Sequence, residues 1–221
     1  MRRVSNLKHL DRHARTKISR FERRARLLRF QRDDLGNALD THQLETELGS
    51  LVINVQSYWS NWCRAFYLSG ALGTVTSSGT LISSGLSIRS EHDALTVAIT
   101  RSLTPSTPSP ATWPAYREPR WFVPDDLSRI LNDAHLSIAV LASTFLHSGS
   151  QALLHLRIFR NYYAHRSELL KLEALSLGPS YLVGHPWKPS EILLFVEPRH
   201  TVSVLERLVL EVGRLAGALC A

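Results

Sequence analysis

A chain of 221 residues with 44% apolar side chains can bury a sizeable core, which excludes a disordered protein and fits one domain of ordinary size, or one with an appendage. Its net charge of +7 is lopsided: residues 1–32 hold 12 Lys/Arg and 2 Asp/Glu, while the remainder has a slight acidic excess. That asymmetry points to a polyanionic partner, or to an acidic protein.

The two cysteines, Cys63 and Cys220, sit inside apolar helical patterns. They read as buried thiols in a reducing compartment, and a cytoplasmic location is expected. No Cys-x-x-Cys pair exists, and His9 and His13, although four apart, have arginine neighbours and no carboxylate cluster. No metal and no cofactor is therefore expected. No apolar run reaches the length of a membrane span, and the first residues lack the apolar core of a secretory signal.

In chain order, Leu7, Ala14, Ile18, Phe21, Ala25, Leu28, Leu35 and Leu39 recur at helical spacing and predict a first helix over 5–39. Arginines occupy its other faces. Arg12, Arg15, Arg20, Arg23, Arg24, Arg26 and Arg29 are candidate phosphate contacts, and the same pattern also fits a solvated helix face. Asp40 and Gln43 read as a capping pair for a second helix. Leu44, Leu48, Leu51, Val55, Trp59, Trp62 and Phe66 form its apolar stripe, most simply a core stripe. Its polar face carries Asn54, Tyr58, Asn61 and Arg64. Residues 69–87, rich in Gly, Ser and Thr, read as a loop with room for a short hairpin. Ser90 and Asp93 fit a capping box for a helix through about Arg101.

Residues 104–124 contain six prolines, which forbid regular helix. Trp113, Tyr116, Trp121, Phe122, Arg117 and Arg120 lie among them. Aromatics interleaved with arginines suit single-stranded nucleic acid, but a flap whose aromatics cover the core is the reading favoured. Pro124 starts a long helix carrying Leu127, Leu131, Ala134, Ile138, Leu141 and Phe145. A turn at 147–150 leads into an apolar-periodic segment from about Gly149 to Leu177. Glu191–Val196 reads as a short strand. Ser203 and Glu206 cap a last helix with Leu205, Leu208, Val212, Leu215 and Leu219 inward.

The segment beginning near Gly149 holds the chemistry: Arg160-Asn161-Tyr162-Tyr163-Ala164-His165, followed by Arg166. Asn161 and His165 share a helix face, four residues apart. Arg160 is long enough to curl toward it. A permanent cation, an amide and an imidazole in one neighbourhood suit a phosphodiester. The imidazole takes the proton of a ribose 2′-hydroxyl, and the guanidinium holds the charge that builds on phosphorus. A satisfied polar patch on a helix surface has the same composition.

Arg-Asn, three spacers and His, late in an all-helical chain, resemble the Arg-x(4–6)-His signature of the HEPN superfamily. The Tyr-Tyr-Ala spacer and Arg166 are similar to its RiboL-PSP or MAE-type branches. The resemblance implies an all-α fold, a HEPN-like bundle of about five to six helices. It also implies a metal-independent endoribonuclease acting as a homodimer with the two motifs facing each other, in a toxin–antitoxin or antiviral defence setting. On that basis His165 is the general acid/base, Arg160 stabilises the transition state, and Asn161 orients the imidazole or donates to phosphate. An early helix is expected to add a polar residue, for which Asn61 and Arg64 are candidates. RNA contacts are expected from Arg166, Arg20, Arg23, Arg24, Arg117 and Arg120. Ser167 stands where nucleotidylation-silenced toxins of the family carry tyrosine, so that control is not expected. The partners implied are RNA, a second copy of the chain, and an antitoxin or other defence protein. Two other readings remain open: a non-catalytic helical module binding RNA, DNA or protein, and a HEPN adaptor or antitoxin subunit.

Overall fold

The computed structural model of the chain describes residues 6–34, 41–102 and 112–221. Leu35, Leu39, Asp40 and the prolines at 105, 108 and 110 lie outside the described residues. The described residues form nine α-helices: α1 (Leu7–Asp34), α2 (Thr41–Ala71), α3 (Glu91–Thr100), α4 (Pro124–Asp133), α5 (Ala139–Ser148), α6 (Ser150–His165), α7 (Glu168–Leu175), α8 (Pro189–Leu193) and α9 (Val204–Cys220). One two-stranded antiparallel hairpin, β1 (Thr74–Val75) with β2 (Leu81–Ile82), pairs Thr74 with Ile82. The protein is thus mostly α-helical, with the hairpin in the Gly/Ser/Thr segment.

Three differences from the sequence reading raise the helix count. The long helix expected from Pro124 to beyond Phe145 breaks between α4 and α5. His135 takes a left-handed conformation, φ 50°. The Ser84 hydroxyl donates to the Ala134 carbonyl at 2.6 Å, and the Gly85 amide donates to the His135 carbonyl at 2.9 Å. The neighbouring chain thus supplies the donors that a continuous helix would have supplied. The segment from Gly149 breaks likewise: Arg166 is left-handed, φ 50°, and Ser167 caps α7 by accepting from the Leu170 amide at 3.3 Å. Residues 191–196 do not form a strand. Pro189 opens the short helix α8, and Glu191 accepts from the Trp187 amide at 2.8 Å. A proline at the first helical position with a carboxylate in the first turn favours that start.

The chain divides into two compact units. Unit 1 takes the described part of Met1–Arg15, then Trp59–Ser150 and Arg214–Ala221; unit 2 takes Thr16–Tyr58 and Gln151–Gly213. Helices α1, α2 and α9 contribute residues to both, as does α6 through Ser150 alone.

In unit 1 the aromatic stripe of α2 is core. Trp59 stacks on Trp62 and Trp62 on Phe66, each at 5.4 Å and nearly parallel, and all three are buried. The Ser90–Asp93 capping box of α3 is formed on both sides. The described end of the proline-rich loop is fixed by its aromatics. Trp121 is buried against Tyr67, and Trp113 donates to Thr96 Oγ1 at 2.9 Å. Glu118 accepts from Arg64 through both oxygens, at 2.7 and 3.1 Å, and from the Trp121 indole at 2.9 Å. Burial works to raise the Glu118 pKa. The hydrogen bonds from Arg64 and Trp121 and the charge of Arg64 outweigh it and leave the carboxyl below its ordinary range. Both thiols are free and buried, and burial raises the Cys220 pKa to about 12.

In unit 2, Leu28, Leu48, Leu51, Val55, Leu156, Phe159, Leu205 and Val209 make the core. Its one fully buried carboxylate is Glu206, 0% exposed, among the described residues. Glu206 accepts from the Ser203 amide and hydroxyl, both at 2.9 Å, and so caps α9 as the sequence indicates. Across the core it meets two cations of α1, Arg29 at 3.2 Å and Arg26 at 3.4 Å. Gly213 faces Ile18 of α1 so closely that a Cβ there would lie 2.9 Å from the isoleucine methyl. Removing the carboxylate alone leaves Arg29, whose side chain is only 11% exposed, with the Thr201 carbonyl but without its counter-charge. Breaking such a pair from one side costs about 3–5 kcal/mol. Glu206→Ala is therefore expected to lose about that much stability in chemical denaturation, and Arg29→Met in the same background to recover part of it. A loss below about 1 kcal/mol would show that the pair does not hold unit 2 together.

Candidate functional site

Every residue of the Arg160–Arg166 run lies in unit 2. Burial of Leu153, Leu156, Phe159 and Tyr163, at helical spacing, turns α6 and sets which motif side chains reach solvent. His165 is the last residue of α6 and is exposed. Arg160 and Asn161 are half-buried one turn earlier. The rise from Arg160 to His165 is about 7.5 Å along the helix. Arg160 donates through Nη1 to Asn161 Oδ1 at 3.3 Å. Asn161 thus steadies the guanidinium, and no hydrogen bond joins it to His165 among the described residues. The imidazole keeps both nitrogens for solvent or a ligand.

The spacer tyrosines have a defined task. Tyr162 and Tyr163 meet edge to face at 4.9 Å, and the Arg166 guanidinium stands 5.5 Å over the first ring and 4.9 Å over the second. Such contacts contribute about 0.5–2 kcal/mol each, depending on desolvation. Glu45 of α2 closes the cluster. Its Oε2 accepts from the Tyr163 hydroxyl at 3.1 Å, its backbone carbonyl accepts from Arg166 at 3.3 Å, and its carboxylate lies 3.9 Å from that guanidinium. Burial, reinforced by the Glu45 charge, pushes the Tyr163 phenol well above its ordinary pKa and keeps it a donor. Glu45 Oε1 is buried with no hydrogen-bond partner among the described residues.

Among the described residues the α2 side chain bonded to the motif run is Glu45, which the sequence did not single out. The only signal for it was a carboxylate in the first turns of α2, where the helix dipole accounts for it equally well. Of the two residues proposed instead, Arg64 is taken up by Glu118 and Asn61 is exposed, both in unit 1.

The proposed RNA contacts differ in what holds them. Arg20 and Arg23 are exposed on α1 with no ion-pair partner among the described residues, and Arg24 lies 3.8 Å from Glu47. Arg15 pairs with Asp11, and Arg26 and Arg29 with Glu206. In unit 1, Arg120 pairs with Asp126 at 2.8 Å, while exposed Arg117 lies over the Tyr116 ring. Among the described residues no group of three or more His, Cys, Asp or Glu is placed to hold a metal ion. No helix there is long and apolar enough to cross a membrane.

Comparison with protein-family models, with curated proteins and with solved structures finds no match for this chain.

The approach of α2 to the motif helix depends on Gly49, where a Cβ would stand 2.6 Å from Tyr163 Cδ1. Alanine favours a helix over glycine by about 1 kcal/mol, so a neutral surface site would gain stability. Here the ring is buried and cannot swing away. Gly49→Ala is expected to lose about 1–3 kcal/mol and to lower the melting temperature. An unchanged or higher melting temperature would contradict the close packing of α2 on Tyr163.

Proposed function

We propose that the chain is a metal-independent endoribonuclease of HEPN type that cleaves RNA by attack of a ribose 2′-hydroxyl on the adjacent phosphorus. The observation that carries the reading is the end of α6: an exposed His165 whose nitrogens have no hydrogen-bond partner among the described residues, on the same helix as an Arg160 guanidinium steadied by Asn161. His165 takes the 2′-hydroxyl proton as the new P–O bond forms. Arg160 stabilises the charge on the phosphorane-like transition state. The P–O5′ bond breaks, the leaving oxygen receives a proton, and the products are a 2′,3′-cyclic phosphate and a 5′-hydroxyl. Arg166, held by two tyrosines and Glu45, is a fixed cation for a flanking phosphate. Arg20, Arg23 and Arg24 offer further phosphate contacts on the exposed face of α1.

One copy of the motif provides one good acid/base, whereas the reaction uses two. A homodimer with two-fold related α6 ends supplies the second His165. Leu169 and Leu172 of α7, 77% and 62% exposed directly after the motif, supply apolar surface for such an interface. We place the protein in the cytoplasm as a toxin or antiviral defence effector, held in check by an antitoxin or another defence protein.

The basic face of α1 favours one other reading, a non-catalytic RNA-binding module. Purified protein incubated with RNA and EDTA separates the two, since the module leaves RNA intact. General acid–base catalysis by one side chain is worth about 10²–10⁴-fold. His165→Ala is expected to lose that order of activity at unchanged helicity, and Arg160→Ala a comparable amount. A folded His165→Ala protein with full activity would remove the assignment.

A further inference from the structure

A second chemical feature of α6 lies one helix end away from the motif. His155 is buried, 7% exposed, and its Nδ1 lies 2.6 Å from the Tyr181 hydroxyl, with the rings edge to face at 5.4 Å. Burial lowers the His155 pKa and raises that of Tyr181 to about 12, so the pair is neutral near pH 7. A neutral imidazole has one donor and one acceptor nitrogen. Nδ1 is committed to Tyr181, and Nε2 has no hydrogen-bond partner among the described residues. Both side chains line a cavity of about 270 Å³ within unit 2, together with Gln151, Arg207, Leu208 and Glu211.

The rim fixes the ligand class. Arg207 and Glu211 are four apart on α9 and share a face. Arg207 is pinned by an ion pair to Glu197 and stands 5.8 Å over the Tyr181 ring, yet a guanidinium has five donors and keeps some for a ligand. Glu197 already neutralises Arg207 and Glu211 lines the same cavity, so a bare phosphate or carboxylate would meet no net positive charge. A neutral, planar, multidentate group fits better. The volume lies below the roughly 300 Å³ at which drug-sized sites begin, which suits a single ring system. Among the four bases, guanine presents an acceptor pair, O6 and N7, beside a donor pair, N1–H and the exocyclic amine. An arginine fork matches the first and a carboxylate the second. Leu208 offers apolar contact to the ring.

We propose that this cavity is a guanine-binding site, with Arg207 on O6/N7, Glu211 on N1–H and the amine, and His155 Nε2 and Gln151 reading the remaining edge. The base is supplied either by a free guanine nucleotide or by a guanosine in single-stranded RNA. The site does not depend on the chemistry of Arg160 and His165, so its test can succeed or fail separately.

The test is calorimetric titration of the full chain with GMP, IMP, AMP, UMP and CMP, and with 2′-O-methyl uridine decamers with and without one central guanosine. The 2′-O-methyl groups prevent cleavage by 2′-oxygen attack. Guanine probes are expected to bind about tenfold or more tightly than the others, as one good base contact provides. IMP, lacking the amine, should fall toward the AMP value, and Glu211→Gln should erase the preference. Saturable binding of GMP identifies the free nucleotide as the source; preference seen only in the decamer identifies RNA. Absence of binding by every guanine probe, equal binding of all probes, or an IMP affinity equal to that of GMP would overturn the proposal.

Discussion

A carboxylate with no access to water must find its cations inside the chain, and in unit 2 Glu206 finds them on α1. The same side chain caps α9 and meets Arg26 and Arg29, so helix start and helix pairing are one event. Removing one partner leaves a buried charge, whereas exposed pairs elsewhere on the molecule contribute little. This contact also alters the meaning of the basic N-terminal segment. Part of its charge is already paired: Arg26 and Arg29 hold α9, and Arg15 is tied to Asp11. The outward remainder, with Arg20 and Arg23, is the part that a polyanion would meet.

The motif helix is positioned by a second set of contacts, between α2 and α6 within the same unit. Gly49 lets α2 come onto the Tyr163 ring, and Glu45, one turn earlier, bonds the hydroxyl of that ring. Arg166 then lies against both tyrosines. The left-handed turn at Arg166 ends α6 at His165 and leaves the imidazole exposed. A continuous helix would have carried the apolar pattern past the histidine. The break ends the 16-residue α6 on the imidazole, with the cation and the amide within its last two turns.

What the sequence made legible was what depends on periodicity and local caps. The core stripes of α2, α6 and α9, the Ser90–Asp93 box and the Ser203–Glu206 cap are short-range patterns, and each is present. The breaks at His135 and Arg166 were hidden, because neither residue is a glycine and the apolar spacing continues through both. The reason for the first break lies 50 residues away, in the Ser84 hydroxyl that takes the Ala134 carbonyl. The candidate site was legible as a residue run, since Arg160, Asn161 and His165 are local to one helix. Glu45 was not, being 118 residues from Tyr163. The His155–Tyr181 pair escaped for the same reason: a buried histidine on an apolar face reads as core until its partner is seen. For the proline-rich loop the core flap was favoured over a nucleic-acid platform. Trp113 and Trp121 turn inward in its described part, and Tyr116 and Arg117 remain outside.

A ribonuclease site on α6 would reveal itself in the chemistry of the ends it creates. Attack by a 2′-hydroxyl without metal leaves a 2′,3′-cyclic phosphate, whereas metal-activated water ordinarily leaves a 3′-hydroxyl and a 5′-phosphate. The direct measurement is mass spectrometry of the fragments of a defined single-stranded RNA after incubation with the purified protein in EDTA. Fragments ending in 2′,3′-cyclic phosphate and beginning with 5′-hydroxyl are the predicted result. Intact RNA, or fragments with 5′-phosphate ends, would contradict it.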